Sequence, residues 1–326
     1  MKYKLILAII LILELAVGWI FVNKYFILFN KKPITTKINS EFIINGELTK
    51  SKFKYFYSLK NNLVEKNIWL NKEITYNYNS DGLHETNDYS LEKQPNVFRI
   101  ITLGDSFTFG QNVDTKNNWT ELLENELNNN QLAFCENKKF EVINLGVFGY
   151  GIPYIVERYR ISGQKYNPDL VIWLESGTGF TRNKELTEPI ILACLEKENN
   201  NELNFYDKYR ECWLQVEKQL IDEIGFAEYS KKINEHLKNF FELIDIKKVV
   251  FFGFEKQLNK EHSDALEKRQ ETFPNMDFRQ NVPNIFDLKQ IFSDNHPNEI
   301  GHQTIQKAIL QSITKDISNN CKKNTI

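Results

Sequence analysis

From residue 97 onward the chain alternates short apolar runs with longer stretches whose apolar positions recur every three or four residues. Val97-Phe98-Arg99-Ile100-Ile101-Thr102-Leu103 is short, largely apolar and rich in β-branched residues, the pattern of a strand buried in a parallel sheet. Similar runs mark strands at 140–145, 169–175 and 247–254, with a weaker one at 284–288. Between them, Trp119, Leu122, Leu123 and Leu127 make one face of a helix over 118–129. Phe226, Ile233, Leu237, Phe240, Phe241 and Ile244 do the same over 226–245, and Ile305, Ala308, Ile309 and Ile313 place a last helix near the C-terminus. Strands alternating with helices of this length predict βαβ units with right-handed crossovers. The expected fold over 97–318 is therefore α/β, three layers (α/β/α) around a mostly parallel sheet.

Three stretches lie outside that rhythm. Leu5 through Val22 is an apolar run broken only by Glu14 and preceded by Lys2 and Lys4, which predicts a signal anchor or transmembrane segment over 1–30. Ala16-Val17-Gly18 would suit cleavage, but Trp19-Ile20-Phe21-Val22 continues the run, so an uncleaved anchor is the preferred expectation. The domain is then expected on the extracytoplasmic side of a membrane, at the cell surface or in the periplasm. Residues 31–96 are polar and aromatic with weak periodicity and read as a lead-in wrapping the main domain. Residues 180–225 carry charge, asparagine and two cysteines, and read as a helical insertion near the strand ends.

Charge narrows the function classes. The 326 residues include 41 basic and 43 acidic side chains, with no basic stripe interleaved with aromatics, so a nucleic-acid partner is not expected. Cys135, Cys194, Cys212 and Cys321 show no zinc-ligand spacing, so no metal is expected. Cys194 and Cys212 could close a short loop, but four cysteines allow three pairings, and free buried thiols are the alternative.

The candidate chemistry starts at Gly104-Asp105-Ser106-Phe107-Thr108-Phe109-Gly110, which places a serine where the first apolar strand breaks into a glycine-bounded loop. In open α/β sheets, ligands gather beyond the carboxyl ends of the strands. A serine hydroxyl is a weak nucleophile until a base takes its proton, and the chain has five histidines for that task. His236 and His262 read as surface residues, and His84 has no carboxylate at suggestive spacing. In the loop Ser293-Asp294-Asn295-His296-Pro297-Asn298, residues two apart point the same way, so Asp294 could fix the His296 tautomer while the other ring nitrogen faces Ser106. The alternative is that Asp294 and Asn298 cap the following helix and His296 is exposed.

Together with Asn144-Leu145-Gly146-Val147-Phe148-Gly149-Tyr150-Gly151 after the second strand, and His296-Pro297-Asn298 leading to Gly301-His302, these blocks resemble the SGNH, or GDSL-type, hydrolase superfamily over residues 75 to 315. The resemblance implies an SGNH/flavodoxin-like sheet, a Ser106–His296–Asp294 triad, and acyl-ester hydrolysis through an acyl-serine. It implies no cofactor. The oxyanion would be held by the backbone N–H groups of Ser106 and Gly146 and an asparagine side chain. The third block departs from the pattern: Glu175-Ser176-Gly177-Thr178 stands where an asparagine is usual, with Thr178 in the aligned place and Asn183 in the following loop. The expected substrate is a small-molecule or polysaccharide ester, O-acyl or O-acetyl. The alternatives are an O-acetyltransferase of cell-envelope polysaccharide, a non-catalytic binding or assembly protein, and a lipid-acting esterase.

Overall fold

In the computed structural model, the described residues are 43–44, 51–70, 72–129, 135, 138–177, 182–197, 205–245, 248–256 and 260–323. The predicted anchor over 1–30 lies outside them. Among the described residues no helix is long and apolar enough to cross a membrane.

Short ladders come first among the described residues: β1 (Ile43–Ile44) pairs with β2 (Tyr57–Ser58), and β3 (Leu63–Trp69) with β4 (Lys72–Tyr78). The tip of the second ladder, residues 67–73, groups apart from the α/β unit. That unit is built on β5 (Val97–Leu103), β6 (Lys139–Asn144), β7 (Leu170–Leu174), β8 (Val249–Phe254) and β9 (Asp277–Val282). They form one parallel sheet in the order β6-β5-β7-β8-β9. The chain starts in the interior of the sheet at β5, steps outward to β6, then returns past β5 to β7. In open α/β sheets such a reversal is where ligands gather, beyond the carboxyl ends of the strands that flank it, here β5 and β7.

Among the described residues the α-helices are α1 (Ser106–Phe109), α2 (Trp119–Asn129), α3 (Ile152–Arg158), α4 (Lys184–Lys197), α5 (Phe205–Ile224), α6 (Phe226–Leu243), α7 (Lys260–Thr272) and α8 (Glu299–Lys323). Strand side chains alternate between two apolar layers. Ile100, Val142, Ile172, Leu174, Val250 and Phe252 meet Trp119, Leu123 and Leu127 of α2 and Ile305, Ile309, Ile313 and Ile317 of α8. On the opposite face Trp173 and Phe251 stack on each other, and Phe240 and Phe241 of α6 meet them edge-on. This is the expected α/β/α arrangement. A disulfide between Cys135 and Cys321 ties the α2–β6 connection to the end of α8.

The insertion is helical as expected. In α4 and α5, Ile191, Cys212 and Val216 make a small core of their own, closed by the Cys194–Cys212 disulfide. The weak strand expected at 284–288 is instead a turn, in which the Asn284 side chain accepts from the Phe286 and Asp287 N–H groups. Ile285 still reaches the core from that turn, which accounts for the apolar signal. The edge strand is 277–282, whose polar, half-exposed composition hides it from a search for apolar runs.

The lead-in reaches into the main domain. His84 is fully buried, with Nδ1 2.6 Å from the Phe109 carbonyl and Nε2 2.7 Å from the Thr115 hydroxyl. A carbonyl only accepts, so Nδ1 carries the proton and Nε2 accepts from Thr115. Burial pushes the His84 imidazole down to about 4. The unfolded chain thus binds a proton near pH 6.5 that the folded chain refuses until about pH 4, so this group removes stability as pH falls across that interval. Buried Glu85, raised chiefly by desolvation, pulls the other way, so the measurement is a difference. Denaturant unfolding at pH 7 and pH 4.5 should show that His84→Gln loses less stability on acidification than the parent, by ~2–3 kcal/mol. Equal losses would contradict the buried neutral imidazole.

Candidate active site

Ser106 is the first residue of α1, directly beyond the carboxyl end of β5. The turn that presents it is held by Asp105, whose carboxylate caps the helix by accepting from the Phe107 N–H at 3.0 Å and from the Ser176 hydroxyl at 2.5 Å. Asp105 is buried, as is Ser176 just beyond β7, so the turn that carries Ser106 is fastened to the neighbouring strand. Gly110 closes the helix at φ +87°, a left-handed conformation that favours glycine.

His296 comes from the loop before α8, pinched by the bridge between Ile291 and Pro297 and by the Phe292 N–H donating to the His296 carbonyl at 2.8 Å. Its Nε2 lies 3.0 Å from Ser106 Oγ and its Nδ1 2.8 Å from Asp294 Oδ2. The His296 N–H also donates to Asp294 Oδ1 at 3.2 Å. Burial raises the Asp294 carboxyl, but hydrogen bonds and charge from His296 and the amide of Asn112 outweigh it and hold the group below the usual carboxylate range. An ionised carboxylate only accepts, so Nδ1 donates to Asp294 and Nε2 accepts from the Ser106 hydroxyl. Phe107 flanks the imidazole with ring centroids 5.9 Å apart, and Phe254 and Phe286 extend that apolar wall.

The other predicted positions fall differently. Gly146 packs on α1 so closely that a Cβ there would lie 2.5 Å from the Phe109 nitrogen. Its N–H donates to the Asn144 side chain at 2.9 Å, and the Asn144 amide donates in turn to the Thr108 carbonyl at 3.0 Å. Thr178 lies outside the described residues. The Ser106 N–H has no hydrogen-bond partner among the described residues. Asn183 is buried and starts α4 through its carbonyl, which accepts from Leu186 and Thr187. Glu175 is buried and paired with Arg269 of α7 at 3.2 Å. Burial, with the Asp105 charge adding, pushes its carboxyl up to about 7 despite the guanidinium. His302, of the resemblance's last block, is fully buried and accepts from the Trp119 N–H at 3.3 Å; burial drives it down to about 3. Among the described residues, no group of histidine, cysteine and acidic side chains is placed to hold a metal ion.

Three residues here escaped the sequence reading: Asn112, whose Nδ2 donates to Asp294 Oδ2 at 2.7 Å, Ser176 and Arg269. Asn112 and Arg269 sit in no motif, Ser176 lies in the third block with no role assigned to it there, and each is defined by a partner far away in the chain.

No family model matches the sequence, and no curated protein does so either. Solved structures do resemble it. The psychrotrophic esterase EstA from Pseudoalteromonas sp. is 14% identical, with TM-score 0.43, covering 67% of this chain and 98% of its own. A member of the lipolytic G-D-S-L family from Veillonella parvula is 15% identical, with TM-score 0.37, covering 67% and 99%. The acetyl xylan esterase AlAXEase is 15% identical, with TM-score 0.40, covering 66% and 100%.

Two substitutions test the packing around Ser106. Gly146→Ala should destabilise the protein by ~1–3 kcal/mol, read by denaturant unfolding, because a rigid backbone must yield to the new methyl. Arg269→Ala should cost ~3–5 kcal/mol by leaving Glu175 buried without its counter-charge, and Arg269→Ala combined with Glu175→Gln should recover part of that loss.

Proposed function

We propose that the protein is a serine esterase that cleaves O-acyl esters through a covalent acyl-serine. One observation carries the reading: Ser106 Oγ, His296 and Asp294 form an unbroken hydrogen-bonded line at the carboxyl end of β5. In this mechanism Ser106 Oγ attacks the ester carbonyl as its proton passes to His296 Nε2. The C–O bond to the alcohol then breaks, and the imidazolium gives that proton to the departing oxygen. A water, deprotonated by His296, attacks the acyl-serine, and the carboxylic acid leaves as Ser106 regains its proton. Asp294 keeps its charge throughout and steadies the imidazolium.

Negative charge grows on the carbonyl oxygen in both steps, and fixed N–H donors stabilise it most. The Ser106 N–H, without a hydrogen-bond partner among the described residues, supports a role as one donor. Because the Gly146 N–H is held by Asn144, Gly146 serves this reading mainly as the residue that lets the β6 loop touch α1. The substrate class, an O-acyl or O-acetyl ester of a small molecule or polysaccharide, follows the motif resemblance. Attack by a sugar hydroxyl instead of water would make the same machinery an acyltransferase. The two disulfides, with the apolar run Leu5–Val22, support residence in an oxidising, extracytoplasmic compartment.

The test is labelling with a fluorophosphonate probe and turnover of a short-chain aryl ester by the full chain. The parent should label and turn over. Ser106→Ala should lose the label, and His296→Ala should lower kcat on the order of a thousandfold or more. A folded parent that neither labels nor turns over would refute the assignment in favour of a binding role.

A further inference from the structure

We infer that Asn112 is a positioning residue for the Ser106–His296–Asp294 line, acting as a second tie between the two loops that carry it. The inference rests on the esterase reading above. Asn112 lies six residues beyond Ser106, on the loop leaving α1, while Asp294 and His296 share the loop before α8. Two hydrogen bonds cross between these loops: Ser106 Oγ to His296 Nε2 at 3.0 Å, and Asn112 Nδ2 to Asp294 Oδ2 at 2.7 Å. The first must break on every turnover, because Ser106 Oγ becomes an ester oxygen in the acyl-enzyme. The second involves no reacting atom and persists through the cycle.

Asn112 is itself fixed from two directions. Its backbone is left-handed at φ +71°, a conformation asparagine tolerates better than most residues. Its N–H donates to the hydroxyl of buried Tyr76 on β4 at 2.8 Å. The side chain is buried, and an amide donor brings no charge that would compete with His296 for the carboxylate. Asp294 thus accepts three hydrogen bonds, two from His296 and one from Asn112, and cannot turn away from the imidazole without breaking one. The titratable groups facing this pair are His296 on the same loop and Tyr76 from β4, while His302 lies in the core on α8, near enough to feel the charge of His296.

Two substitutions separate side chain from backbone. Asn112→Gly accepts positive φ and removes only the amide; kcat for the aryl ester should fall ~10- to 100-fold with KM little changed. Asn112→Asp keeps the shape, but donates to Asp294 only while protonated and repels it once ionised, so its deficit against the parent should deepen as pH rises. Parental kcat in Asn112→Gly, or an Asn112→Asp deficit independent of pH, would overturn the inference. A third measurement needs no turnover: the Asn112 side-chain amide protons, followed by NMR, should titrate with Asp294 at acid pH and lose that titration in Asp294→Asn. Amide signals that ignore pH would refute the tie even in an active enzyme. An inactive, unlabelled parent would defeat the esterase assignment, and the NMR measurement would then judge the Asn112–Asp294 contact alone.

Discussion

Because β5 is hydrogen-bonded on both sides, its carboxyl end is the one point in the sheet where loops from β6 and β7 must both converge. The chain enters the sheet there, and no strand can be added beside β5 without displacing one of those neighbours. Ser106 inherits its place from this constraint. The loop after β6 brings Gly146 against the backbone of α1, and the end of β7 brings Ser176 to Asp105. A turn clamped from both flanks has little freedom to move, and the rotamer entropy of ordering it is already spent on folding.

The polar groups beneath this turn are buried in pairs. Asp105 faces Ser176, Glu175 faces Arg269, and Glu85 accepts from the Asn144 N–H at 2.5 Å. The buried ion pair Glu175–Arg269 contributes little net stability against an apolar replacement of the same volume, yet losing one partner of any of these contacts is expensive. Such pairs make the ends of β5, β6 and β7 intolerant of single changes. The third block thus has a structural use in place of the expected asparagine: it ties β7 to the turn that carries Ser106 and to α7 in the same short stretch.

The parts legible in the sequence are those whose signal is local. The β5 to β8 strands are apolar runs; the observed bounds of β5 coincide with the expected ones, and those of the other three differ by one or two residues. The α2 and α6 stripes have helical spacing, and Asp294 and His296 lie close together in one loop. Strand β9 was hidden because an edge strand keeps polar residues on its open side, and Ile285 supplied a misleading apolar signal from the next turn. His84 carried no sign of its burial, since nothing in its neighbourhood announces that Phe109 and Thr115 would satisfy both ring nitrogens.

By itself, then, the sequence determined the layer architecture, the candidate nucleophile and the loop holding its candidate base, because periodicity and short motifs act over a few residues. Only the tertiary structure decided that Ser106 and His296 meet, that the Gly146 N–H turns to Asn144, and that Asn112 reaches Asp294. Each of those depends on hydrogen-bond direction or on partners brought together by sheet order, and neither is written in spacing along the chain. The physical reason is that a strand fixes which residues stand at its end, while its neighbours fix what those residues touch.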